Sequence, residues 1–109
     1  MSITTSETLQ YTSTAMLHNI DTKIASLNSI RTLLSSQIQE NLQMQTSLEP
    51  DSPEMKSLEK KRLALAEMEK QLDLQIQQYM NKRKKYEEFQ TIAQRQTQEN
   101  IQRAYRRAG

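Results

Sequence analysis

Leu48-Glu49-Pro50-Asp51-Ser52-Pro53-Glu54 holds both prolines of the chain and lies between two long runs that contain no strong helix breaker. Each proline disfavours helix at the residue before it, so the chain must turn here. Ser52 suits an N-cap, and Pro53 suits the first helical position, where its missing N–H costs nothing. Glu54 then sits at the positive end of the helix dipole. A second helix therefore begins at residue 53, and the expected fold is all-α: an antiparallel two-helix coiled-coil hairpin with its turn at about residues 49–53.

The arms on either side carry matching apolar patterns. Before the turn, Leu17, Ile20, Ile24, Leu27, Ile30, Leu34, Ile38 and Leu42 follow steps of three and four, and the stripe closes at Leu48. After it, Leu58, Leu65, Leu72, Tyr79, Tyr86 and Ala93 recur every seven residues, interleaved by Met68 and Ile76. Folded at the turn, antiparallel partners have position numbers adding to about 103. That constant sets Ile38 against Leu65, Leu27 against Ile76, Ile24 against Tyr79 and Leu17 against Tyr86.

The resulting expectation is a single hairpin over residues 1–109. It has a weakly ordered lead at 1–14, either weak helix from near residue 5 or disordered, then helix 1 over 15–48, the turn at 49–52 and helix 2 over 53–107. The lead is rich in Ser and Thr, whose hydroxyls compete with helix, although Thr4 and Glu7 have capping-box spacing. At the far end Arg103, Arg106 and Arg107 suit a helix C-terminus, with Gly109 past it.

Composition agrees. One glycine, one phenylalanine and a 35% hydrophobic content argue against a β-rich fold or a large enclosed core. The 14 glutamines, with Lys, Glu, Leu and Met, are typical of long helices. There is no cysteine, hence no disulfide framework and no thiolate metal or redox chemistry. With neither a membrane-length apolar run nor a leader pattern, the expectation is a soluble chain, cytoplasmic or exported without a cleaved signal peptide. Residues 1–50 carry a net charge of −2 and residues 51–109 a net charge of +4, which mildly favours antiparallel pairing.

Nothing in the sequence assembles a catalytic or cofactor site. His18 is the single histidine, with Asp21 one turn later, and two potential ligands do not make a zinc site. A glycine-rich phosphate loop is impossible with one terminal glycine. A non-enzymatic protein without catalytic, cofactor or metal residues is expected.

Candidate interaction residues lie off the stripe. Leu33 and Met44 are eleven residues apart, as are Leu63 and Leu74, which is close to three turns, so each pair lines up along its helix away from the seam. Phe89, Ile101 and Tyr105 extend the apolar surface toward the C-terminus. The polar side of helix 1 is filled with Ser, Thr, Asn and Gln, and between Thr22 and Gln39 only Lys23 and Arg31 are charged. Such a face can be covered without stripping water from many ions.

Candidate anion contacts are Lys82, Arg83, Lys84, Lys85, Arg103, Arg106 and Arg107. Four consecutive basic residues spread around a helix, however, and Glu87 and Glu88 can pair with Arg83 and Lys84 at i,i+4, so the run reads as a solvated collar. The expected partner is another copy or another helical protein, with nucleic acid disfavoured and no membrane span. By architecture such a hairpin resembles small subunits and chaperones of bacterial type III and flagellar secretion apparatus, and eukaryotic tethering complexes and phage structural proteins use the same shape. That is a likeness of shape, not of motif. The functional expectation is a coiled-coil structural or adaptor protein acting through helix–helix packing. The alternative is nucleic-acid or anionic-surface binding through the basic C-terminal half of helix 2.

Overall fold

A computed structural model describes residues 2–108, with the side chain of Ile3 outside the description. The protein is an all-α helical hairpin of α1 (Ile3–Gln45) and α2 (Pro53–Ala108). Ser52 caps α2 as its sequence demands: its Oγ accepts the Met55 N–H at 3.1 Å and its carbonyl accepts the Lys56 N–H at 3.2 Å. In the turn the N–H groups of Thr46, Ser47 and Leu48 bond back to the carbonyls of Gln43, Met44 and Gln45 at 3.2–3.3 Å. The last turn of α1 thus tightens before the prolines, and helix ends at Gln45, not at the expected residue 48.

The weak lead expected at 1–14 is corrected. Helix starts at Ile3, not Ala15, and its cap is Ser2, not Thr4. Ser2 Oγ accepts the Thr5 N–H at 3.1 Å, and the Ser6 N–H reaches the Ser2 carbonyl at 2.9 Å. The hydroxyls of Thr8 and Thr14 donate to the carbonyls four residues earlier at 2.8 and 2.9 Å. A hydroxyl bonded in that way leaves the helix ladder in place.

The chain forms two compact units: Ile24–Gln78, and the residues up to Lys23 together with those from Tyr79. In the unit around the turn, Leu27, Met55, Leu65, Leu72 and Ile76 are buried, while Ile24, Leu34, Ile38, Leu48 and Leu58 are half-buried beside them. Register is visible in the polar contacts at the rim of this seam. Arg31 Nε meets Asp73 Oδ1 at 3.1 Å and Ser35 Oγ lies 3.4 Å from Glu69 Oε2, so partners add to 104. Asn41, only 3% exposed, donates from Nδ2 to the Leu58 carbonyl at 2.9 Å and accepts from Gln45 Nε2 at 2.7 Å. A buried amide satisfied by the facing backbone penalises slipped registers, in which it would lose its partner.

The other unit closes over smaller side chains. Ser6, Ser13, Ile20 and Ala93 are buried, with Leu17, Tyr79, Tyr86 and Phe89 half-buried. Here Arg83 Nε meets Asp21 Oδ1 at 2.8 Å, and Gln90 Nε2 donates to Thr14 Oγ1 at 2.8 Å, again partners adding to 104. Thr97 Oγ1 shares a hydrogen bond with Ser6 Oγ at 3.1 Å.

Three residues expected on the stripe stand outside it. Ile30, Leu42 and Met68 are exposed. A seam between two helices covers only about two positions in seven, and these three fall on its flanks. A cysteine pair at Leu27 and Ile76 should crosslink readily within one chain. A pair at Leu27 and Leu65, offset by about 16 Å along the helix, should not. Non-reducing electrophoresis of the two variants reads the difference, and efficient crosslinking of the second pair alone would contradict the register. Asn41→Leu should raise the melting temperature while weakening this preference, so that off-register cysteine pairs begin to react.

Candidate functional site

The unit around the turn presents the off-seam apolar residues. Leu33, Met44, Leu63 and Leu74 are each more than half exposed, so none contributes to the seam. Ile30 and Met44 occupy one flank of α1 with Leu33 beside them, by helical geometry, and Met68 flanks the seam from α2. Met44 also borders a shallow apolar depression with Leu48, Pro53 and Leu58 beside the turn. Exposed apolar residues at this density, on a core this thin, are the surface that another helix covers most profitably.

The polar side of α1 has a property that composition alone does not reveal. Thr22, Ser29 and Thr32 donate their hydroxyls to the carbonyls of His18, Ala25 and Asn28 at 3.0–3.1 Å. Their donors are satisfied inside the helix, so covering this face strands none of them.

In the second unit the candidate residues separate. Phe89 is half-buried and meets Tyr86 edge-on, with centroids 5.9 Å apart at 80°, and is therefore a packing residue. Ile101 and Tyr105 remain exposed near the end of α2. The basic run disperses as well. Arg83 is held by Asp21 and by Glu87 at 3.5 Å, Lys82 lies 5.3 Å from the Tyr79 ring centre, and Lys85 lies 5.8 Å from that of Phe89. Lys84 sits on an open stretch of α2 with Glu87, Glu88 and Arg95. Arg103, Arg106 and Arg107 are exposed in the closing turns. Both ends of the Arg83–Asp21 pair are about half exposed, which limits its contribution to under about 1 kcal/mol.

Two of those lysines do converge, with a third that sequence reading passed over. Lys23, Lys82 and Lys85 border an open groove of about 420 Å³ floored by Met16, Ile20, Tyr79 and Tyr86, with no acidic residue in its lining. The signal for Lys23 was present in the register: a constant of 104 sets position 23 opposite 81, next to Lys82.

His18 is exposed, and no cluster of three metal-ligating side chains occurs among the described residues. No helix is long and apolar enough to cross a membrane. Compared with known protein families, with characterised proteins and with solved structures, the chain matches none.

Proposed function

We propose that the protein is a non-enzymatic coiled-coil structural or adaptor component that acts through helix–helix packing in an assembly, self-associating or joining another helical protein. The observation that carries this reading is the set of leucines and methionines standing more than half exposed on a hairpin whose own seam is narrow: Leu33, Met44, Leu63, Met68 and Leu74. A lone two-helix seam offsets the ordering entropy of so long a chain only weakly, and covering these residues supplies the missing apolar burial. The charge-poor face of α1, where Thr22, Ser29 and Thr32 bond within the helix, supports the same reading, because an assembly can cover it without stripping many ions. Within that class, a subunit or small chaperone of a secretion-like apparatus is the kind of part this architecture suits.

Nucleic-acid or anionic-surface binding through the basic half of α2 has less support. Arg83 is engaged by two carboxylates, Lys84 lies among Glu87, Glu88 and Arg95, and Lys82 and Lys85 alone of the run share a groove, which is no continuous stripe for a phosphate backbone. The test is self-association measured by sedimentation at about 0.5 M salt, where exposed charge contacts are largely screened. Apolar helix packing persists there, with mass rising as concentration rises, whereas a chain built for phosphates stays monomeric and binds oligonucleotide at low salt only.

A further inference from the structure

We infer that the groove bordered by Lys23, Lys82 and Lys85 receives the acidic turn of a second copy of this chain. The inference rests on the self-associating reading above and names a specific contact within it. Three ammonium groups ring the groove, its lining holds no carboxylate, and no ion pair among the described residues engages any of the three. Lys82 and Lys85 lean instead on the rings of Tyr79 and Phe89. Cations held over rings at an exposed site gain little from them and remain available to a carboxylate.

The complementary surface lies in the same sequence. From residue 32 to residue 55 there is no lysine or arginine, while Glu40, Glu49, Asp51 and Glu54 are all present. Glu49, Asp51 and Glu54 are exposed around a turn whose backbone is fixed by its own bonds and by the Ser52 cap, so the positions that carry these carboxylates are set before any contact forms. Beside them is the apolar depression of Met44, Leu48, Pro53 and Leu58, which offers Met16 and the tyrosines of the groove something to pack against. Three carboxylates and an apolar patch thus meet three ammoniums and an apolar floor. A nucleic acid is the poorer occupant: Tyr79 and Tyr86 are both half-buried and Tyr86 is already engaged edge-on by Phe89, which leaves no open ring pair for stacked bases.

A contact between two different patches is heterologous, so it repeats from one copy to the next and extends whatever oligomer the apolar lines form. It is also charge-dependent, which separates it from apolar packing. At about 0.05 M salt the wild type should sediment as larger species than at about 0.5 M. Lys82→Glu with Lys85→Glu should weaken that low-salt growth at least about tenfold, and so should Glu49→Lys with Asp51→Lys. Mixing the two charge-reversed chains, or placing all four changes in one chain, should restore it. Because all four positions are exposed, helicity should be unchanged, and the neutral pair Lys82→Gln with Lys85→Gln gives an intermediate loss should a reversal unfold the chain. As the chain has no cysteine of its own, Asp51→Cys in one tagged chain and Lys82→Cys in another should give a disulfide between the two. Low-salt growth indifferent to both reversals overturns the inference, as does failure of the mixture to restore it. So does groove reversal that abolishes binding of a single-stranded oligonucleotide while leaving association intact. In each of these cases high-salt association that persists leaves the assembly reading standing. Loss of high-salt association in the wild type, by contrast, defeats that reading itself.

Discussion

Leu72→Ala should lower stability by about 2–4 kcal/mol, the cost of emptying a packed leucine site whose surroundings relax only in part. Leu72 is 8% exposed and belongs to the seam of the turn unit with Leu65 and Ile76, so little else can close over the gap. On a protein of this size and thin core that loss is a large fraction of the total, and it should appear as a clear fall in melting temperature at fixed protein concentration. Leu34→Ala should cost less, about 1–2 kcal/mol, because Leu34 is only half-buried. Gln39→Ala, on the exposed polar side, should change stability by no more than a few tenths of a kcal/mol. Equal losses at all three positions, followed by circular dichroism during urea unfolding, would remove the case for an intramolecular seam.

The second large effect should be on mass instead of stability within one chain. Leu63→Glu with Leu74→Glu places two carboxylates on a line that is more than half exposed in the hairpin, where a charged side chain is well solvated. Folding of the isolated hairpin should therefore change little. In an assembly that covers this line the same carboxylates would be buried without partners, a penalty of several kcal/mol per ion. The double variant should stay helical at high concentration yet sediment as one chain, and its melting temperature should lose the concentration dependence that association confers.

Much of the hairpin was legible because its determinants are local. Proline at 50 and 53 forces the turn, Ser52 and Glu54 restart the helix, and the seven-residue spacing of Leu58, Leu65, Leu72, Tyr79, Tyr86 and Ala93 marks one face of α2. What escaped were polar seam residues. Ser6, Ser13 and Asn41 stand at the same seven-residue spacing as Ile20, Leu27, Leu34 and Leu48, and all three are buried. A search for apolar residues steps over them and lands on Ile30 and Leu42, which have the right chemistry at the wrong angle. Following the spacing before the polarity would have found the seam along the whole of α1.

Helix in the lead is stronger than its composition suggests for a related reason. A high content of Ser and Thr argues against helix when their hydroxyls bond the backbone outside the ladder, but Thr8 and Thr14 bond within it and Ser2 supplies the cap. Of the candidate surface, the off-seam lines were legible from the eleven-residue spacing alone. The lysine groove is legible only through the register, since Lys23 and Lys82 are far apart in sequence and are brought together by pairing across the hairpin.

Whether these surfaces join copies of the chain is decided by sedimentation equilibrium of the wild type at about 0.5 M salt, over a wide range of protein concentration with helicity recorded in parallel. The average mass should climb above that of one chain as concentration rises, while Leu63→Glu with Leu74→Glu holds the mass of one chain throughout. A wild type that is fully helical and monomeric at every concentration would contradict self-assembly and leave a different helical protein as the only partner for these surfaces.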